Sequence, residues 1–187
     1  MLYPKKINSK KIDRIFMIIN IIVISVSLIL LYINKLTTPN IYWSHLCICG
    51  FIYIYLTVSY SVTKTTNIAN HVMIQTILIA ILMYYIDYRI GYTGWSLRIS
   101  IPILIIISNC AMFIITLFSF KHYGKYAISQ LIIVLLSLSI IYLIYKGFVE
   151  ANALINISIV ISIFNFLVSL VLCSKDFKEE IIKRFNI

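Results

Sequence analysis

ISIPILIIISNCAMFIITLFSF (99–120) decides how the chain is read: twenty-two residues without a charge, mostly Ile, Leu, Phe and Met. A helix needs about 20 largely apolar residues to cross the roughly 30 Å hydrocarbon layer of a bilayer, and this run has that length. A barrel strand would be about half as long and would alternate polar with apolar residues, which this run does not. Within it, Pro102, Asn109 and Thr116 recur every seven residues, close to two helical turns, and therefore share one face.

Upstream lies IDYRIGYTGWSLRISIP (86–102), which gathers Asp87, Arg89, Gly91, Gly94, Trp95 and Arg98 in an otherwise apolar neighbourhood. Three roles are open to it. As an interfacial turn, its glycines supply unusual backbone angles, Tyr92 and Trp95 anchor at head-group depth, and Asp87 pairs with an arginine. As a recognition site, Arg89 and Arg98 bind an anionic group. As a carrier, Asp87 moves a proton or cation, since carboxylates inside membrane spans are costly and usually functional.

The rest of the chain repeats the pattern of the first stretch. Of 187 residues, 61% are hydrophobic and 12% charged, a balance that a small water-soluble domain cannot bury. Six apolar segments qualify as spans: Ile15–Ile33, Ile41–Val62, Ala69–Tyr88, Ile99–Phe120, Tyr126–Tyr145 and Ala151–Cys173. The expected architecture is all-α and polytopic, with six transmembrane helices in three hairpins. A basic stretch (1–14) precedes the membrane domain (15–173), and a tail (174–187) follows it. In that tail Phe177, Ile181, Ile182 and Phe185 sit near helical spacing, as in an amphipathic helix lying on the cytoplasmic surface.

The two ends and the even-numbered loops carry twelve of the sixteen lysines and arginines, so both termini are expected in the cytoplasm. The formal charge of +10 then falls beside the membrane, where anionic lipid head groups are the natural partner; no nucleic-acid fold accompanies it. The first span follows a basic stretch as a signal peptide would, but it is long and lacks a small-x-small cleavage pattern, so it reads as an uncleaved helix.

Polar residues inside the spans form stripes. Asn20, Ser27 and Asn34 share a face of the first helix, Gln130 and Ser137 one of the fifth, and Ser158, Ser162, Asn165 and Ser169 one of the sixth. Either the stripes face neighbouring helices, where small residues allow close approach and hydrogen bonding, or they line a hydrated path. Asn20, Gln75, Asn109, Gln130 and Asn165 are the candidates for such a path. Tyr42-Trp43-Ser44 and Gly94-Trp95-Ser96 open the second and fourth helices alike, a weak sign of duplication that the third hairpin does not share.

No nucleotide loop, HExxH pair or nucleophile elbow is present in the sequence, and His45, His71 and His122 fall on separate segments. No catalytic residue, cofactor or metal ligand set is assigned. Cys47, Cys49, Cys110 and Cys173 form no CxxC pair and lie in or beside the spans, which is not a disulfide framework.

Tyr3-Pro4, Leu56-Thr57-Val58, Ile86-Asp87-Tyr88 with Gly91 and Gly94-Trp95-Ser96, Ile101-Pro102-Ile103-Leu104 and the closing Lys183-Arg184-Phe185 resemble an uncharacterised bacterial membrane-protein family, a domain of unknown function. The resemblance implies six membrane helices over nearly the whole chain and implies no activity. Typical members carry a cysteine-rich zinc ribbon first; this chain begins at the Tyr-Pro that would follow one, and no role of the ribbon is carried over. The expected function is a non-catalytic integral membrane scaffold or interaction component, with protein partners or a second copy. A small transporter or channel subunit is the alternative, and an intramembrane enzyme the third reading.

Overall fold

The computed structural model describes residues 9–63, 68–118 and 124–172. All regular elements there are helical: α1 (Ser9–Thr37), α2 (Trp43–Thr63), α3 (Ile68–Ile90), a π-helical turn (Ser96–Ser100) running into α4 (Ile101–Phe118), α5 (Gly124–Tyr145) and α6 (Ala153–Leu172). Six helices are long and apolar enough to cross a membrane. They match the six expected segments to within a few residues, with one larger difference, at the start of α1. α1 starts at Ser9, inside the basic stretch, because Lys10 and Lys11 are adequate helix formers and nothing there breaks the pattern. The expected amphipathic helix of the tail lies outside the described residues.

The chain falls into two compact units, one within Met1–Thr63 and the other within Lys64–Ile187. In the first, α1 and α2 form an antiparallel pair whose connection spans only Thr38 to Tyr42. Phe16 and Tyr55 meet edge to face with centroids 6.1 Å apart.

The second unit packs four helices, with α4 touching α3, α5 and α6. Its interior is layered. At the end where α3 turns into α4 and α5 into α6, here termed the hairpin end, Ala80, Leu97, Ile101, Ile105, Ile140, Val149 and Ile155 form an apolar cluster. Towards the other end a smaller cluster joins Ala69, Met112 and Ile133. Polar side chains lie between and around these clusters, since Thr76, Ser108, Asn109, Gln130, Ser137, Ser158, Ser162 and Asn165 are all buried. Apolar residues such as Ile107, Ile114, Val160 and Phe164 point outward and are exposed. This is the inversion expected when the surroundings are apolar: outward Ile and Phe cost nothing, while hydrogen-bonding groups collect where partners exist.

Two helices end on the same local device. After α3, Gly91 takes φ +112° and the Tyr92 N–H donates to Asp87 O at 2.9 Å. After α5, Gly147 takes φ +75°, the Phe148 N–H donates to Leu143 O at 3.0 Å and the Gly147 N–H to Ile144 O at 2.9 Å. Both are left-handed glycine stops that cap otherwise orphaned carbonyls.

Pro102 explains how the second and third hairpins are joined. It has no N–H to donate to Arg98 O four residues back, and the helix opens there into a π turn, closed by the Ile101 N–H on Ser96 O. The freed Arg98 carbonyl accepts instead from Asn152 Nδ2 at 2.7 Å. The Oδ1 of the same Asn152 receives the Ile155 N–H at 2.8 Å and so caps α6. Arg98 and Glu150 add an exposed ion pair at 3.2 Å, the weaker part of this junction.

Asn152→Ala removes both the cap and the donor to Arg98, so we expect it to lower unfolding stability in detergent by about 1–3 kcal/mol. Asn152→Ser keeps a capping oxygen and loses only the donor to Arg98, and should fall between Ala and wild type. Thermal unfolding followed by circular dichroism checks the order; an unchanged Ala variant would contradict it.

Candidate functional site

The stretch 86–102 folds into a closed anion-binding turn, and the anion is the chain's own. Asp87 lies in the last turn of α3 and is fully buried. Its Oδ1 accepts from the Thr93 N–H and O–H, both at 3.1 Å, and from the Gly94 N–H at 3.2 Å. Its Oδ2 accepts from the Ser96 N–H at 3.1 Å and the Ser96 O–H at 2.7 Å. The donors converge because Gly91, Tyr92 and Gly94 all take positive φ, which folds the backbone back over the carboxylate. Tyr92, at φ +48°, is the one non-glycine among the described residues in that region. The carboxylate also faces the start of the helical segment that continues into α4, where the aligned peptide dipoles favour negative charge.

This arrangement corrects one expectation. Asp87 does not pair with an arginine: all its recorded bonds come from its own turn, while Arg98 reaches Glu150. The physical reason is reach, since backbone donors six to nine residues away are held against the carboxylate by the turn itself. Arg89 lies in the last turn of α3 and is half-buried, as is Trp95; Gly94 is buried and Gly91 exposed.

The first hairpin contains a neutral counterpart. Asn34, near the end of α1 and 5% exposed, accepts on Oδ1 from the Ser44 N–H at 3.0 Å and the Ser44 O–H at 2.7 Å. Its Nδ2 donates to Thr38 O at 2.8 Å and Ile41 O at 2.7 Å. In both hairpins, an oxygen near the end of one helix binds the N–H and O–H of the serine in a Trp-Ser pair that opens the next. The sequence shows both Trp-Ser pairs; their acceptors, Asn34 ten residues earlier and Asp87 nine earlier, were the part not recognised. The available signal was a side-chain oxygen nine or ten residues before each serine.

The polar stripes meet one another. Thr76 Oγ1 and Ser108 Oγ lie 2.6 Å apart and join α3 to α4. Asn109 Nδ2 donates to Ser162 Oγ at 2.8 Å, and Asn165 Nδ2 returns to Asn109 O at 2.9 Å, so α4 and α6 are cross-linked twice. Ser129 on α5 hydrogen-bonds Asn70 on α3. Of the five polar candidates within the helices, Asn109 and Asn165 are thus brought together. Asn20 is half-buried on α1, in the other unit, and Gln75 is half-buried on α3. Gln130 is fully buried, yet neither its Nε2 nor its Oε1 has a protein partner among the described residues.

Cys47 and Cys110 are exposed and Cys49 is half-buried. Cys47 and Cys49, two apart on α2, project to different sides of the helix. Among the described residues, no three His, Cys, Asp or Glu side chains lie close enough to hold a metal ion.

Among the described residues every regular element is helical, six helices are long and apolar enough to span a membrane, and a buried acidic turn joins the third to the fourth. The chain belongs to a family of unknown function, DUF6320, which it matches over residues 3–187. No curated protein and no solved structure matches it.

Asp87→Asn retains the shape but turns an NH2 group towards donors, and should destabilise the protein by about 2–4 kcal/mol, within the range for hydrogen-bonded buried charges that lose their match. Ser96→Ala, which removes one donor of five, should cost less. Denaturation midpoints of the purified variants test the ranking; an Asp87→Asn protein as stable as wild type would remove the structural role assigned to the carboxylate.

Proposed function

We propose that this protein is a multi-pass component of the bacterial cytoplasmic membrane, with both termini inside, that acts by packing and by binding other membrane proteins or a second copy of itself rather than by catalysis. The observation that carries the reading is that its reactive-looking groups are spent on structure. The Asp87 carboxylate is occupied by its own turn, and the amides of Asn109 and Asn165 bind helix to helix. Such interhelical bonds average about 0.6 kcal/mol, enough in number to hold one arrangement without creating a reactive centre. The basic ends and loops support the orientation, and anionic lipid head groups would be their partners.

Labelling tests the topology. Glu150→Cys in a chain lacking its other cysteines should react with an impermeant maleimide from outside intact cells, and Lys64→Cys only after the membrane is opened. The opposite pattern would reverse the orientation. For the interaction role, cross-linking in the membrane before solubilisation should trap a discrete species larger than the 187-residue chain. A product that stays monomeric across cross-linkers of different length would count against it.

One observation favours a second reading, a small transporter or channel subunit: the Gln130 amide, inside the four-helix unit, has no partner among the described residues. A buried amide without partners costs about 1–3 kcal/mol. If Gln130 only packs, Gln130→Met removes that cost at nearly constant volume and should leave the melting temperature equal or higher. If the amide belongs to a hydrated path, the same variant should melt lower.

A further inference from the structure

A groove of about 380 Å³ runs between α4 and α6, a volume within the roughly 300–1,000 Å³ of small-molecule sites. Phe113 and Ile114 of α4 and Ile161 and Phe164 of α6 form its apolar walls, and Asn109 and Asn165 also line it. Asn165 is only 3% exposed. Its Nδ2 faces two acceptors, Asn109 O at 2.9 Å and Asn109 Oδ1 at 3.3 Å, so the amide cannot be reversed without setting oxygen against oxygen. That orientation leaves Asn165 Oδ1 as the outstanding atom: a buried carbonyl oxygen with no donor among the described residues.

An apolar cleft with one unsatisfied acceptor specifies a ligand. We propose that this groove binds a lipid-soluble molecule consisting of an apolar chain and a single O–H or N–H donor. The chain lies against Phe113, Ile114, Ile161 and Phe164, and the donor reaches Asn165 Oδ1. Carboxylates and phosphates do not fit, since they bring acceptors to an acceptor and the groove offers no cation. A helix of a second copy is the competing occupant, and the experiment below separates the two. Asn165 stands about 18 Å along α6 from Ala153, a depth of hydrocarbon rather than head groups. The proposal rests on the membrane placement argued above, and does not depend on the scaffold role.

Cys110 is exposed and lines the same groove, so its alkylation reports occupancy. The full-length protein, with Cys47, Cys49 and Cys173 changed to alanine, is reconstituted in phosphatidylcholine vesicles. Flotation after an alkaline wash first tests membrane insertion by itself; protein lost at this step overturns the placement, before the groove is probed. The rate of Cys110 reaction with N-phenylmaleimide is then measured with 1-dodecanol and with 1-chlorododecane at equal mole fraction in the lipid. The expected result is several-fold protection by the alcohol and little by the chloride, with Asn165→Leu abolishing the difference. The alcohol–chloride comparison on the unsubstituted Asn165 protein stands even if that variant misfolds. Equal protection by both compounds, or protection by neither, overturns the proposal. Protection that follows protein density rather than added alcohol also overturns it, and assigns the groove to a second copy.

Discussion

A carboxylate taken out of water must either find donors or lose its charge, and Asp87 finds five of them in the residues that follow it. Much of the second unit follows from that requirement. To bring Thr93, Gly94 and Ser96 to the carboxylate, the chain needs three successive excursions to positive φ, at Gly91, Tyr92 and Gly94. The Ser96 that is held this way begins the π turn that Pro102 opens, and within that turn the Arg98 carbonyl accepts from Asn152 Nδ2. One buried charge thereby sets the end of α3, the start of the α4 segment and, through Arg98, the entry to α6.

The interior obeys the same rule at lower cost. Serine and threonine hydroxyls return to carbonyls three or four residues back in their own helices, as Thr116 does to Met112, Ser158 to Ile155 and Ser169 to Asn165. The longer amides of Asn109 and Asn165 cross between helices instead. Gln130 and Asn165 are the buried amides for which this accounting does not close: Gln130 retains two atoms, and Asn165 one, that the described residues leave unmatched. Among the described residues, where most buried polar side chains are matched, those atoms are the informative places to look for a bound molecule.

Much of the architecture was legible in the sequence because each helix is a long apolar run bounded by polar residues, and the heptad-like recurrence of Pro102, Asn109 and Thr116 marks an inward face without reference to any partner. The turn was half legible. Its glycines and its Trp-Ser pair could be read locally, but the partner of Asp87 could not, because opposite charge near in sequence suggested Arg89 or Arg98 while the donors that prevailed were mostly backbone N–H groups and hydroxyls. Backbone donors exist at nearly every position and leave no mark in a sequence.

The amino-acid sequence by itself determined the number, length and spacing of the helices, their membrane-compatible composition and the faces that carry polar residues, since all of these depend on local periodicity. Only the tertiary structure decided which stripes meet, that Asn165 reaches Asn109 and not another amide, and that a groove opens beside them. Those outcomes depend on the depth and rotation of one helix against another, quantities set by the sum of many small packing contacts and encoded at no single position.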